Sequence, residues 1–178
     1  MRNGIFVTGG SGFVGRPLLA ALHHTGRPVT TLTRSDTLRD TGDGITVVQG
    51  DLLRPETYRA ALRSCDVVIH LAATTGRASA DEHMRVNARG TEVLVNECRD
   101  AGVSKILFVS SIATTFQDIT GYHYAKAKRR AEETVSRYNA SSQDLTWRVP
   151  GVSGDNFLVR TGYPYIVCLD ETAPSSWP

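Results

Sequence analysis

Short apolar runs alternate with amphipathic segments along the chain, and this pattern predicts alternating strands and helices. The runs predicted as strands are residues 4–7, 28–33, 45–49, 66–71, 105–109 and 145–149. The segments predicted as helices are residues 16–22, 56–63, 81–101 and 121–139. This alternation with short connections is typical of an α/β protein, so we predict one doubly wound parallel sheet with strand order 3-2-1-4-5-6.

A glycine-rich turn joins the first predicted strand to the first predicted helix. Gly9 permits a tight turn, Gly12 lets the backbone approach a pyrophosphate, and Gly15 lets helix and strand pack closely. The free N–H groups at the helix start then face the phosphates of a dinucleotide. The alternative is a glycine turn without a ligand. We predict a single-domain Rossmann fold whose cofactor contacts include Gly9, Gly10, Ser11, Gly12, Phe13, Val14 and Gly15.

Thr33 and Arg34 end the second predicted strand, at the position that usually meets the adenosine ribose. An acidic residue there binds the ribose 2′-hydroxyl, whereas a nearby arginine accepts a 2′-phosphate. No carboxylate occupies the strand end, because Asp36 follows only later in the loop. The sequence therefore favours NADP, with NAD as the alternative cofactor. The competing interpretation of Arg34 is a solvated loop charge.

The predicted helix 81–101 ends at the stop signal Gly102 and carries one inward stripe. Its members are Met84, Asn87, Thr91, Leu94, Cys98 and Ala101. A buried amide must be hydrogen-bonded, so Asn87 is either a structural bracket or part of a site. We interpret His70, at the end of a buried strand, as a satisfied structural residue.

Hydroxyl and amine side chains follow the fifth predicted strand. Ser110 and Ser111 end that strand, where an open parallel sheet binds its ligands, although a helix cap is the alternative. The helix 121–139 contains two tyrosine–lysine pairs at i,i+4 spacing, Tyr122 with Lys126 and Tyr124 with Lys128. The second pair shares its face with apolar residues. A cation beside a phenol lowers its pKa, so Tyr124 is the predicted general acid or base.

Composition restricts the class of protein. The chain has 178 residues, 40% of them hydrophobic and 21% charged, with net charge +2, which suits one soluble globular domain without a nucleic-acid partner. No apolar run is long enough for a membrane helix, and because the first predicted strand begins at residue 4 we expect no signal peptide. Cys65, Cys98 and Cys168 lack metal or redox spacing, so we expect reduced thiols, a cytoplasmic location and no metal site.

These stretches together resemble the short-chain dehydrogenase/reductase superfamily, in its extended and atypical branch, the NAD-dependent epimerase/dehydratase family. The similar stretches are residues 8–15, 50–52, 70–73, 87–91 and 148–154. Ser111, Tyr124 and Lys128 match the family's Ser/Tyr/Lys triad, and Ala131-Glu132 matches the usual continuation of that motif. The resemblance covers about residues 4–154.

The resemblance implies an NAD(P)-dependent oxidoreductase or epimerase/dehydratase-like enzyme that acts on a hydroxyl or carbonyl group of a small molecule. Tyr124 would exchange a proton with the substrate. Lys128 would lower the tyrosine pKa and hold the nicotinamide ribose. Ser111 would orient the substrate oxygen. Asn87 joins this catalytic set, and the further implied cofactor contacts are Asp51, Leu52, Leu71, Ala72, Ala73 and Lys128.

We expect residues 1–154 to form the NAD(P)-binding domain and residues 155–178 to be a short tail, the remnant of a substrate lobe. The tail has one apolar run, residues 163–169, which is too little for a lobe. We therefore expect an open cleft above Tyr124 and weak turnover unless another subunit closes it, as in a homodimer. The alternatives are a non-catalytic NAD(P)-binding sensor or assembly subunit, or a truncated inactive family member.

Overall fold

The computed structural model describes residues 2–35, 38, 44–141, 157–158 and 167–168. Its strands are β1 (Gly4–Thr8), β2 (Val29–Thr33), β3 (Ile45–Gln49), β4 (Cys65–His70), β5 (Lys105–Phe108), β6 (Phe157–Leu158) and β7 (Val167–Cys168). Its helices are α1 (Gly15–His23), α2 (Arg59–Leu62), α3 (Ala80–His83), α4 (Gly90–Ala101) and α5 (His123–Ser141).

The main sheet has the order β3-β2-β1-β4-β5, and every neighbouring pair is parallel. This confirms the predicted order for five strands. The sixth predicted strand, residues 145–149, lies outside the described residues. In the predicted tail, β6 and β7 form a separate antiparallel pair, while the tail's other residues also lie outside the description. The division into a domain 1–154 and a tail 155–178 stays a prediction.

Both faces of the sheet are covered, because the buried side chains of β1 alternate between two apolar clusters. Phe6 belongs to the cluster that contains apolar residues of α2, α4 and α5. Ile5 and Val7 belong to the second cluster, which contains Leu19 and Leu22 of α1. A parallel sheet between two helical layers is the predicted doubly wound fold.

Two predicted helices differ in detail from the structure. Residues 56–63 form a 3₁₀ turn, Pro55–Thr57, followed by the single-turn helix α2. Residues 80–101 are helical throughout, with α3 and α4 joined by the π-helical segment Met84–Arg89, and Gly102 ends α4 with a positive φ of 68°.

Where the π-helical segment begins, the residue that faces the core differs from the predicted one. Met84 was expected on the inward stripe, but it is 36% exposed, whereas His83 is buried. A π turn is wider than an α turn, so the position one turn before Asn87 falls on His83. The stripe prediction was wrong for Met84, and it is confirmed for Asn87 and the later members, all of which are buried.

Candidate active site

The glycine turn after β1 depends on close backbone contacts. Gly9 has a φ of +76°, and a Cβ there would lie 2.6 Å from the backbone nitrogen of Ala72. A Cβ at Gly15 would collide with the carbonyl oxygen of Gly9. The turn therefore packs against the end of β4 and delivers the first residues of α1 to the carboxyl edge of the sheet.

A cleft of about 210 Å³ opens at this edge, and residues from five separate stretches line it. The predicted cofactor contacts that line it are Gly9, Ser11, Gly12, Thr33, Arg34, Asp51, Leu52, Leu71, Ala72 and Ala73. The predicted contacts outside its lining are Gly10, Phe13, Val14, Gly15 and Lys128. Phe13 is 96% exposed, so it lies at the surface of the glycine turn. A cleft over a glycine turn and a helix N-terminus is the kind of site in which Rossmann folds bind a dinucleotide.

The ends of β2 and β3 form the part of the cleft that the adenosine would occupy. The Gly50 N–H donates to the Thr33 carbonyl at 2.9 Å, which ties the two strand ends together. Asp51 accepts the Leu53 N–H at 2.8 Å, so its carboxylate also closes the following turn. Arg34 is exposed and lines the cleft.

Seven residues that line the cleft were not among the predicted contacts: Thr8, Leu32, Gly50, Leu53, Thr74, Arg85 and Val86. Thr74 continues the wall beyond β4, and Arg85 and Val86 come from the π-helical segment. A sequence signal existed for Thr74, because it directly extends the predicted 71–73 contacts. None existed for Arg85, because α-helical spacing does not reveal a π turn.

A buried hydrogen-bond chain supports the cleft wall from behind. The His70 ring is fully buried; its Nδ1 lies 2.6 Å from the Thr8 hydroxyl and its Nε2 lies 2.9 Å from the Thr91 hydroxyl. The Thr91 hydroxyl donates to the Asn87 carbonyl at 2.6 Å, and the Thr8 hydroxyl accepts the Ala72 N–H at 3.2 Å. Because the Thr91 hydroxyl gives its proton to Asn87, it accepts from Nε2–H. Burial lowers the pKa of His70 to about 3, so the ring is neutral and structural, and Nδ1 accepts from the Thr8 hydroxyl.

Asn87 is a bracket for the cleft wall. Its Oδ1 accepts the Thr74 N–H at 2.7 Å, and its Nδ2 donates to the Thr74 carbonyl at 2.9 Å. The side chain is 2% exposed, and these two bonds engage both of its polar atoms. This is the first of the two roles that the sequence left open. A catalytic role for Asn87 stays a prediction.

Ser111 and Tyr124 meet beyond the end of β5. Ser111 is the N-cap of the 3₁₀ turn Ile112–Thr115 and accepts the Ala113 N–H at 3.3 Å, so it does act as a cap. Burial raises the pKa of Tyr124, and a hydrogen bond with Ser111 partly opposes that shift. The Tyr124 ring also packs edge-on against the buried His83 ring at a centroid distance of 5.7 Å.

Lys128 is buried one helical turn after Tyr124. Its Nζ donates to the Val109 carbonyl at 2.7 Å and lies 4.0 Å from the centre of the Phe108 ring. Burial lowers the pKa of Lys128 to about 8, while Glu132 acts in the opposite direction. The predicted burial of this helix face is confirmed. The expected lowering of the tyrosine pKa by Lys128 is wrong, because burial raises the pKa of Tyr124 and the cause that opposes this shift is Ser111.

The turn that carries Ser111 is fastened to α5. Arg129 donates through Nε to the Thr114 carbonyl at 2.7 Å and through Nη2 to the Phe116 carbonyl at 2.5 Å. One residue before Ser111, the Ser110 hydroxyl donates to the Glu132 carboxylate. These contacts fix the hydroxyl of Ser111 relative to Tyr124.

We also searched the part of the chain that the structure describes for a metal site, for reactive thiols and for a membrane-spanning helix. No cluster of three or more His, Cys, Asp or Glu side chains there could hold a metal ion. Cys65 and Cys98 are free and buried, as expected for structural thiols. Among the same residues, no helix has both the length and the apolar character needed to span a bilayer.

Comparison with known proteins identifies the family. Residues 5–154 match the model of the NAD dependent epimerase/dehydratase family. The chain belongs to this family. Among solved structures of the wider superfamily, a short-chain dehydrogenase/reductase protein from Agrobacterium tumefaciens with bound NAD is 30% identical, with a TM-score of 0.65 over 78% of this chain and 46% of that chain.

Two curated relatives of this epimerase/dehydratase family member are reductases. The 4-hydroxy-2-methyl-3-oxo-4-farnesyl-3,4-dihydroquinoline-1-oxide ketoreductase of Stigmatella aurantiaca is 40% identical over 94% of this chain and 52% of its own length. The ceramide reductase of Caulobacter vibrioides is 31% identical over 97% of this chain and 56% of its own length. The chain thus spans about half the length of these relatives.

Proposed function

We propose that this chain carries the cofactor site and the proton-donating residues of an NAD(P)-dependent reductase that converts a ketone of a small apolar molecule into an alcohol. The proposal rests on one observation: the cleft and the Ser111–Tyr124 pair lie at the same edge of the sheet. Stretches far apart in sequence line one cleft at the carboxyl edge of the sheet, and at the end of β5 Ser111 lies close enough to Tyr124 to oppose the rise in the tyrosine pKa. Both reductases named above support this direction of reaction.

The chain's own residues account for the proton transfer. Because burial raises the pKa of Tyr124, the phenol is protonated at neutral pH and can give its proton to the carbonyl oxygen. The Ser111 hydroxyl donates a hydrogen bond to the same oxygen and polarises it. Lys128, whose Nζ donates to the Val109 carbonyl at 2.7 Å, keeps the role that the resemblance implies for it and would hold the nicotinamide ribose. A nicotinamide cofactor bound in the cleft supplies the hydride.

An apolar substrate is favoured by the side chains around this proton donor. Ile112, immediately after Ser111, is 74% exposed, and Phe116 at the end of the same turn is 46% exposed. The Phe116 ring contacts Tyr122, which in turn contacts Tyr124, with centroid distances of 6.4 Å and 6.1 Å. Burial of such exposed apolar surface by a substrate chain releases water and stabilises the complex.

We also propose NADP as the preferred cofactor. Arg34 lines the cleft at the end of β2, where a guanidinium can bind the 2′-phosphate, and Thr33 brings no negative charge. The test compares the dissociation constants of NADP and NAD for the parent protein and for Arg34→Ala. Equal binding of the two cofactors by the parent would refute the preference.

The catalytic proposal is tested by exchanging the two neighbouring tyrosines. Tyr124→Phe removes the proton donor, so NADPH oxidation with a panel of 3-oxo acyl ketones should fall at least a hundredfold while the cofactor dissociation constant stays the same. Tyr122→Phe is the matched control and should retain most activity. The opposite pattern would overturn the assignment, and tight cofactor binding without turnover of any ketone would favour a non-catalytic cofactor-binding subunit.

A further inference from the structure

Arg85 is a cleft residue that neither the glycine turn nor the Ser/Tyr/Lys motif explains. It comes from the π-helical segment between α3 and α4, and it lines the same cleft as Arg34 and Asp51. Its side chain is 57% exposed, so its cost of desolvation is small and a ligand can reach it.

A carboxylate that does not itself line the cleft holds the guanidinium in place. Arg85 donates through Nε and through Nη2 to the two oxygens of Glu82, each at 3.0 Å. This two-point contact fixes the plane of the guanidinium. The remaining N–H groups of Arg85 have no acceptor among the described residues, so they are available to a ligand in the cleft.

The surrounding charges place Arg85 at the adenosine part of the cleft. Arg34 contributes to the lowered pKa of Glu82, after the larger effect of Arg85 itself. Asp51 contributes to the raised pKa of Arg85, after the larger effect of Glu82. The four groups are therefore close enough to interact, and two of them are cations that line the cleft.

We propose that Arg85 is a specificity-determining residue for the cofactor: together with Arg34 it binds the 2′-phosphate of NADP, and Glu82 positions it to do so. This inference rests on the proposed NADP preference and extends it to a second cation. A 2′-phosphate carries nearly two negative charges and presents several acceptor oxygens, which match the N–H groups of two guanidinium forks. The 2′-hydroxyl of NAD offers no such charge.

The chain provides a matched control on the same helical segment. Arg89 forms an i,i+3 ion pair with Glu92, as Arg85 does in the reverse sense with Glu82, and both arginines are largely exposed. Arg89 does not line the cleft. Arg85→Ala and Arg89→Ala therefore remove similar surface ion pairs, and only Arg85→Ala removes a guanidinium from the cleft.

The experiment measures dissociation constants by isothermal titration calorimetry at fixed ionic strength. The ligands are NADP, NAD, adenosine 2′,5′-bisphosphate and adenosine 5′-monophosphate. We expect Arg85→Ala to weaken NADP and the bisphosphate about tenfold, which corresponds to about 1.4 kcal/mol, and to change NAD and the monophosphate less than twofold. Arg89→Ala should change none of the four, and urea unfolding verifies that both variants are folded.

The outcomes separate this inference from the proposed cofactor preference. If Arg34→Ala abolishes the NADP preference but Arg85→Ala retains it, the preference stands and the role of Arg85 is wrong. Equal weakening of NADP and NAD by Arg85→Ala would indicate a contact with the adenine and would also overturn the inference. If the parent shows no NADP preference while Arg85→Ala still weakens the bisphosphate selectively, the contact of Arg85 with a 2′-phosphate stands, but the preference and the specificity-determining role that rests on it fail.

Discussion

His70 makes the stability of this protein depend on pH, because burial of its ring disfavours the charged imidazolium form. The ring is fully buried between the hydroxyls of Thr8 and Thr91, and desolvation, with Lys128 as a second cause, lowers its pKa from 6.5 to about 3. In the unfolded chain the pKa is about 6.5. The folded pKa is the lower one, so this stabilisation is complete above about pH 6.5 and is lost as the pH falls towards about 3.

The expected magnitude follows from proton linkage. Between the two pKa values the unfolded state binds one more proton, and the free energy of unfolding falls by about 1.4 kcal/mol per pH unit. A change from pH 7 to pH 5 crosses about 1.5 units of this interval, so the expected loss is about 2 kcal/mol. Glu82 and Glu97 have lowered pKa values, so their contributions are lost only at more acidic pH.

Urea unfolding at pH 7 and pH 5, followed by circular dichroism, measures this difference. His70→Gln lacks the titrating ring, so its free energy of unfolding should change by less than about 0.5 kcal/mol between the two pH values. His24→Gln removes an exposed histidine and should retain the parent's full difference. A His70→Gln variant with the parent's pH dependence would refute the reasoning. Nitrogen NMR that found the proton of His70 on Nδ1 would contradict the hydrogen-bond directions.

Two further predictions concern the cleft wall. Gly9→Ala should destabilise the protein by about 3 kcal/mol or more and abolish cofactor binding, because a Cβ would lie 2.6 Å from a backbone nitrogen. Gly76→Ala, at a nearly equal positive φ of 74° but with nothing within 4 Å, should cost only about 1 kcal/mol, and equal costs in urea unfolding would contradict this packing argument. Asn87→Ala leaves the N–H and the carbonyl of Thr74 unpaired, so we expect the free energy of unfolding to fall by about 2 kcal/mol and the cofactor to bind more weakly in calorimetry. Unchanged cofactor affinity would show that Asn87 does not shape the cleft.

Much of the cofactor site was predictable because its signals are local. The glycine turn must follow a buried strand and precede a helix, and parallel strands deliver their carboxyl ends to one edge. Thr33, Asp51 and Ala72, each at or just beyond a predicted strand end, therefore line one cleft in the structure. Helical spacing likewise separated the half-buried Tyr124 and the buried Lys128 from the exposed Tyr122, as the structure confirms.

Other features depended on contacts between segments far apart in sequence. Lys128 bonds to the Val109 carbonyl, and Asn87 closes on the backbone of Thr74, because those partners become neighbours only when helices pack on the sheet. The exposure of Met84 and the entry of Arg85 into the cleft follow from a π turn that residue spacing does not encode.

The sequence by itself determined the strand order of the five described strands, the glycine turn after β1 and the inward face of α5, because periodicity and glycine positions act through the local backbone. Only the tertiary structure decided which polar groups satisfy one another and which remain available to a ligand. The reason is physical: a buried polar atom takes the nearest partner, and the partner's identity is set by the packing of distant elements rather than by sequence spacing.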